Sequence, residues 1–432
     1  MKKDKITNLL IFPCGSISSI EIFNSFKYEK NVCTYLANSS NLNNKLYYKK
    51  KIFNLPSIYN KEFIYRINCL IKKYKINFVY PSTDIVAYFL KKNQKNIFCE
   101  ILTHDLKTLD ICNDKFKTYN FLHLKKINFL PKKINEKRIK FPIFIKKKVS
   151  HSGIDAYKIN NNNEYINFFL FNKKDEYLIT EYLPGNEFTI DCFTRDRKLV
   201  FKMTRLRKKI LGGISVNNEI IANNNYLINK INIIAKKINN FLIFKGAWFF
   251  QIKLDNFNKP KLLEIGIRPS GNSDFSRVLD VNLPLLTFYL FLKRKIIIKK
   301  IPNYIKSNIK IFKPHYDFKY PFSRIYIDFD DCIYFNKQLN EEVMEKLFRF
   351  KIKKKKIILI TKHKNNIYKS LNKLNLINFF DKIVHIKKND KKYKFIKKKS
   401  SIFIDDSFSE RLEVSNKIHI PVFSPQSFAY LS

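Results

Sequence analysis

Glycine is nearly absent from this chain, with 8 residues in 432. So thin a supply leaves no GxGxxG phosphate loop: the strand and turn at "NLLIFPCGS" carry Gly15 alone, which argues against a dinucleotide-binding turn. The seven cysteines, at 14, 33, 69, 99, 112, 192 and 332, stand singly. Without a CxxC pair there is neither a zinc-ligand spacing nor a disulfide framework, and small buried thiols in a reducing cytoplasm are the expectation. Long apolar runs are missing as well. "MKKDKITNLLIFPCGS" begins basic but has too short a hydrophobic segment for a signal peptide, and "LPLLTFYLFL" at 283–292 falls far short of a membrane span. A cytoplasmic protein without a membrane span is expected.

Negative charge is also scarce: 36 acidic residues stand against 83 basic ones, a formal charge of +47. Such an excess ordinarily points to nucleic acid or an anionic membrane. Here the basic residues run evenly along the chain, are mostly Lys, and come with an excess of Asn, Ile, Phe and Tyr. All five residue types have codons built from A and T alone, so biased genome composition is the simpler account. No RNP, KH, zinc-finger or helix-turn-helix signature is present, and nucleic acid is not an expected partner.

Against this background the exceptions carry information. Seven of the eight glycines, 153, 185, 212, 213, 246, 266 and 271, lie in one stretch that needs backbone freedom. An α/β multidomain chain is expected. Residues 1–112 alternate short apolar strands with helix-like segments, as in "NFVYPSTDIVAYFLKK", and predict a parallel α/β lobe. Residues 113–300 predict β-rich structure, with alternating strands such as "EFTIDCFT" and "AWFFQIKLD" interrupted by the amphipathic helix "NYLINKINIIAKKINNF". Residues 301–322, with three prolines and no clean period, predict a linker, and 323–432 a second compact α/β unit.

Four segments of the middle region share one logic. Lys146 ends the apolar strand in "FPIFIKKKV" and precedes a small polar loop holding Ser152 and Gly153, which presents a cation and free N–H groups to phosphates. Glu181, Tyr182 and Leu183 end another strand and offer main-chain groups to an adenine edge, and Glu187, beyond Gly185, suits ribose hydroxyls. Gln251 and Glu264 on neighbouring strands are candidate oxygen ligands for Mg²⁺ or Mn²⁺, and Arg268 suits an anionic reacting group. "TRLRKKILGG" at 204–213 reads either as substrate-facing arginines or as a basic loop.

In order and spacing these segments, with "NDK" at 113–115, resemble the ATP-grasp superfamily, in particular its carbamoyl-phosphate-synthetase-like branch, over roughly residues 1–300. The resemblance makes Lys115 and Lys146 the phosphate-binding lysines, Glu181 to Leu183 the adenine hinge, Glu187 the ribose ligand, and Gln251 and Glu264 metal ligands. It implies an α+β clamp in which ATP converts a carboxylate to an acylphosphate that an amine or similar nucleophile attacks. The departure is "EIGIR": the family places Asn where Gly266 stands, and Gly offers a metal no side chain.

The last region opens with "RIYIDFDDCIYF". Asp328 and Asp330, two apart, are expected to point the same way at the carboxyl end of a strand. "SIFIDDSFSER" ends another strand in Asp405 and Asp406, and "KIILITKH" ends a third in Thr361. In a parallel sheet these ends converge on one crevice. Four carboxylates, Asp328, Asp330, Asp405 and Asp406, are then expected around Mg²⁺.

This pattern resembles the haloacid-dehalogenase-like (HAD) superfamily over about 323–425, which implies a Rossmann-like domain. The resemblance makes Asp328 the phosphoryl-accepting nucleophile, Asp330 the general acid/base, Thr361 a phosphoryl contact and Lys392 the steadying lysine. The usual Gly-Thr after the second Asp is Asp331-Cys332 here. The combined expectation is a carboxylate–amine ligase fused to a phosphatase for a small phosphoester. The alternative is an active phosphatase beside a clamp that binds nucleotide without turning it over.

Overall fold

The computed structural model describes residues 6–27, 29–40, 48, 50–135, 138–150, 155–221, 226–278, 281–298, 307–309, 320–335 and 337–429. Contacts divide the chain into two compact units, 1–311 and 312–432. No described helix is long and apolar enough to cross a membrane.

In the first unit β1 (Thr7–Phe12), β2 (Val32–Asn38), β3 (Ile52–Asn54), β4 (Phe78–Pro81) and β5 (Glu100–Ile101) form a sheet in the order β3-β2-β1-β4-β5. Every neighbouring pair is parallel. Leu9, Leu10, Ile11 and Phe12 are all buried, so β1 is an uninterrupted apolar run, as a strand covered on both faces requires. Helix Phe63–Tyr74 buries Phe63, Ile67 and Ile71 along one face and ends at the left-handed Lys75, with Lys72 and Lys73 beside its negative pole. The strand order reverses between β1 and β4, which opens a crevice at their carboxyl ends.

The clamp has two antiparallel sheets. β6 (Ile143–Lys147) lies between β7 (Ala156–Ile159) and β8 (Tyr177–Glu181). The larger sheet takes β9 (Glu187–Arg195), β10 (Lys198–Leu211), β11 (Ile214–Ile220), β12 (Gly246–Leu254), β13 (Pro260–Gly266) and β14 (Ser307–Ile309) in the order β13-β12-β9-β10-β11-β14. Alternation separates its faces: Trp248, Phe250 and Ile252 enter the core, while Phe249 and Gln251 face a cavity. Helix Tyr226–Phe241 covers the core face with Ile231, Ile234, Ala235 and Ile238. Phe244 stacks on Trp248, with ring centroids 3.9 Å apart.

Three expectations are amended. The segment expected as a linker contributes β14, which pairs with Asn217 to Glu219 at the sheet edge; 301–306 and 310–319 lie outside the described residues. A three-residue edge strand is too short to show a period in sequence. The run at 204–213 is strand, not basic loop, through Leu211, because its alternate residues reach polar partners across the sheet. Residues expected as separate regions 1–112 and 113–300 share a core: Phe288 and Phe291, from helix Leu283–Phe291, pack against Leu9, Ile11 and Phe78.

The second unit has a parallel sheet of β15 (Arg324–Ile327), β18 (Lys356–Thr361), β19 (Lys382–His385), β20 (Ser401–Ile404) and β21 (Val422–Phe423), ordered β19-β18-β15-β20-β21, and a hairpin of β16 (Tyr334–Phe335) and β17 (Gln338–Leu339). Helix Glu341–Ile352 starts at Asn340, whose side chain accepts from the Val343 N–H, with Glu341 and Glu342 in its first turn. It buries Val343, Met344, Leu347 and Phe350 against the sheet.

Candidate functional site

A cavity of about 660 Å³ lies within the first unit. Its walls are the β1 and β4 ends (Pro13 to Ser18, Ser82, Thr83), the two lysines of the clamp, and the polar face of the larger sheet. Lys115 begins helix Lys115–Leu124, whose N-cap Asp114 accepts from the Phe116 and Lys117 N–H groups. Its ammonium donates to Ser150 O and Oγ, at 3.0 and 3.1 Å, and stands 3.9 Å from Glu264. Lys146 is 5% exposed and donates to the Tyr119 hydroxyl (2.8 Å) and Leu263 O (3.0 Å).

That carbonyl comes from an irregularity in the ladder. Gln251 opposes Glu264 and Ile252 opposes Leu262, so Leu263 is the unmatched residue of a bulge. Burial, aided by the neighbouring Lys115, lowers the Lys146 pKa to about 7, although Glu264 and Glu187 pull it upward. An ammonium poised to lose its proton gains most from an arriving anion.

The opposite wall carries arginines. Arg268 donates to Ser18 Oγ at 2.6 Å, lies 3.4 Å from Asp84, and places its guanidinium 5.3 Å from the Phe249 ring centroid. Gln251 and Glu264 are cross-strand partners, and Gln251 accepts from Arg207 at 3.2 Å. Arg207 also forms an ion pair with Glu187. Arg205, 1% exposed, donates to Asp191, Asn218 and Ser270. Charge alone in "TRLRKK" could not distinguish the inward arginines from the outward lysines; the two-residue alternation around Arg205 and Arg207 was the available signal.

Glu264 and Gln251 would offer Mg²⁺ a carboxylate and an amide in register, oxygen donors of the kind a hard cation takes. Position 266 adds nothing to it. A Cβ there would lie 2.1 Å from Phe249 Cε1, so the ring fills the space a ligand side chain would use.

Three expected residues do not line the cavity. Glu181 exchanges backbone hydrogen bonding with Lys132, its N–H donating to Lys132 O, and its carboxylate accepts from the Lys132 N–H at 2.8 Å. Tyr182 lies under Lys158 and Lys253, and Leu183 is buried. Ser152 and Gly153 lie outside the described residues.

In the second unit Asp328, Asp405 and Asp406 bring one carboxylate oxygen each to within 4.8 Å of one another. Lys392, 2% exposed, spans the pair Asp328 (3.0 Å) and Asp405 (2.6 Å). Burial, together with the neighbouring Asp328, raises the Asp405 pKa to about 7, against the pull of Lys392; burial raises Asp328 as well. Asp328 Oδ1 is buried without a hydrogen-bond partner. Three carboxylates against one lysine, with a buried oxygen unsatisfied, suit a divalent cation. Arg411 fixes the loop by donating to the carbonyls of Asp405 and Asp406, both at 2.6 Å. Thr361 closes the neighbouring strand and accepts from the His363 N–H at 3.2 Å.

Asp330 does not join the carboxylate group as expected. β15 stops at Ile327 and Asp331 takes a positive φ of 54°, so the alternation that would align Asp330 with Asp328 has ended. Its carboxylate lies on His363 Nδ1, 2.9 Å from each oxygen. His363 was not singled out in sequence; its signal was a titratable ring two residues beyond Thr361.

A family model described as ATP-grasp in the biosynthetic pathway with Ter operon matches residues 173–311. No curated relative matches the sequence. Among solved structures, the biotin carboxylase domain of Hydrogenobacter thermophilus 2-oxoglutarate carboxylase, in complex with MgADP, ADP and bicarbonate, aligns with TM-score 0.56 and 10% identity over 68% of this chain and 72% of that one. Carboxyaminoimidazole ribonucleotide synthase from Aspergillus clavatus, complexed with ATP, gives 0.54 and 13% over 68% and 79%. The L-amino acid ligase of Bacillus licheniformis gives 0.53 and 14% over 66% and 74%. The family match is confined to residues 173–311, and the solved structures show a shared fold.

Proposed function

We propose that residues 1–311 form an ATP- and Mg²⁺-dependent ligase joining a small-molecule carboxylate to an amine or similar nucleophile, and that residues 323–432 form a HAD-like phosphohydrolase acting on a small phosphoester. The observation that carries the ligase reading is the buried Lys146 beside Lys115, facing Glu264, Gln251 and Arg268 across one cavity. Three solved neighbours of this fold are, by name, a biotin carboxylase, a carboxyaminoimidazole ribonucleotide synthase and an amino acid ligase, and the first was crystallised with MgADP.

In this reading Lys115 and Lys146 take the nucleotide phosphates and Arg268 orients the acid. A carboxylate oxygen attacks the γ-phosphorus, the bond to ADP breaks, and the nucleophile then displaces phosphate from the acyl carbon while losing a proton. Mg²⁺ held by Glu264 and Gln251 would neutralise charge on the phosphates. In the second unit Asp328 attacks the phosphoester phosphorus, Lys392 and Thr361 hold the phosphoryl oxygens, and Asp405 and Asp406 hold the cation.

The test is ADP release with ATP, Mg²⁺ and pools of carboxylic acids, with hydroxylamine as the nucleophile so that any acylphosphate is collected as a hydroxamate. Acid-dependent hydroxamate, lost in Glu264→Gln, supports the ligase. The packing of Phe249 into the space at Gly266 favours one second reading, a clamp that binds nucleotide without turnover beside an active phosphohydrolase. ATP binding with no hydroxamate from any acid would select it.

A further inference from the structure

Asp330 is half exposed, with 49% of its side chain accessible, yet it is held in one place. Both of its oxygens lie 2.9 Å from His363 Nδ1. With Nδ1–H donating to the carboxyl oxygens, Nε2 is left to accept from Ser370 Oγ at 3.1 Å. Ser370 is fixed on helix Ile367–Lys373, whose N-cap Asn366 accepts from the Lys369 N–H.

The ring also packs edge-on against the buried Phe329, at 5.2 Å between centroids. The His363 backbone is tied at both ends: its N–H donates to Thr361 Oγ1 and its carbonyl accepts from His385 Nε2 at 2.8 Å. Only 13% of the His363 side chain is exposed. A rigid imidazole thus fixes a carboxyl group that would otherwise rotate in solvent, and the His363 backbone N–H ties that ring to Thr361.

We propose that His363 is a positioning residue that holds the Asp330 carboxyl group for proton transfer to the leaving oxygen of a phosphoester. The assignment rests on the phosphohydrolase reading above. As an Asp328 oxygen bonds to phosphorus, the ester P–O bond breaks and its electron pair stays on the leaving oxygen, which takes the proton of the Asp330 carboxyl group. Water then attacks the aspartyl phosphate, gives its proton back to Asp330, and releases inorganic phosphate and the Asp328 carboxylate. His363 is not consumed and does not touch the substrate; it sets where the proton is.

Leaving-group dependence separates this role from a structural one. 4-Nitrophenolate departs without help, whereas an alkoxide needs a proton, and a positioned general acid is worth about 10²–10⁴-fold. With Mg²⁺ present, His363→Ala is expected to lower kcat for glycerol phosphate about 10²-fold and for 4-nitrophenyl phosphate only a few-fold, with KM little changed. Asp330→Asn should show the same selectivity. His363→Asn, whose amide N–H can stand in for Nδ1–H, should recover much of the loss.

Ring ¹⁵N NMR of the metal-free protein supplies a readout independent of turnover: an Nδ1–H signal for His363 that moves in Asp330→Asn. Equal losses on both esters, no loss on either, or an Nδ1 signal indifferent to Asp330→Asn would overturn the assignment. Should the wild type hydrolyse neither ester while the ¹⁵N signals show the His363–Asp330 contact intact, the phosphohydrolase reading itself fails, and this assignment with it.

Discussion

The two candidate sites are opposite in sign. In the first unit cations gather around a cavity: Lys115, Lys146 and Arg268 each have protein partners, and Lys146 is held near neutrality by burial and by Lys115. In the second unit carboxylates gather: Asp328 and Asp405 share Lys392 with Asp406 beside them, and burial pushes the pKa values of Asp328 and Asp405 upward. Both are arrangements of like charge that cost free energy when empty and recover it when a counter-charge enters. In the proposed reading the first would take a polyanion and the second a cation with a phosphoryl group. In a chain of net charge +47, only the second stands out by residue type.

Each prediction probes this contrast. The largest effect is expected from removing one centre at a time. Asp328→Asn should lower phosphoester hydrolysis by at least about 10³-fold, as losing a nucleophile does, and leave acid-dependent ADP release intact; Glu264→Gln should do the reverse. Measuring both activities on both variants checks it, and a variant that loses both would join the two chemistries.

Lys146→Met comes next. The native pKa of about 7 lies below the ordinary 10.5, so the unfolded chain holds a proton that the folded protein sheds between those values. The stability contribution is therefore full above pH 10.5 and is lost as pH falls towards 7. Between pH 7.5 and 9.5 the nucleotide-free wild type should gain on the order of 2 kcal/mol relative to Lys146→Met, read from urea midpoints. Phosphates arriving at pH 8 should restore the proton, so ATP binding should take up part of a proton by calorimetry in buffers of different ionisation enthalpy, and Lys146→Met should abolish the uptake.

A smaller effect is expected at Gly266. Ala there meets the Phe249 ring and should cost about 1–3 kcal/mol, seen as a lower urea midpoint, and Phe249→Ala in the same chain should relieve part of it. Smallest of all, Arg66→Ala breaks an exposed pair with Glu62 and should change stability by less than about 1 kcal/mol and neither activity.

The sequence was most legible where a strand ends in a residue out of character with its neighbours. Asp328, Asp405, Asp406 and Thr361 close apolar runs, and parallel pairing of β15 with β18 and β20 brings those ends to one edge. Asp330 was misplaced because alternation was carried three residues past the end of β15 at Ile327. Glu187 and Arg207 were legible as charges and not as partners, since they meet only when β9 and β10 pair. The partner of the Glu181 carboxylate, the Lys132 N–H, was not legible either, since the two meet only on folding.

Local pattern determined the elements: continuous apolar runs made the parallel strands, two-residue alternation the clamp sheets, and three-to-four-residue spacing the helices, because those periods are properties of single segments. Tertiary structure alone decided which charges became functional groups. The bulge at Leu263 turns a carbonyl onto Lys146, Phe249 fills the room left by Gly266, and His363 reaches Asp330 from the loop after β18. The reason is physical: a pKa, a filled volume and a hydrogen bond depend on neighbours within a few ångströms, and the chain brings those neighbours together from distant positions only on folding.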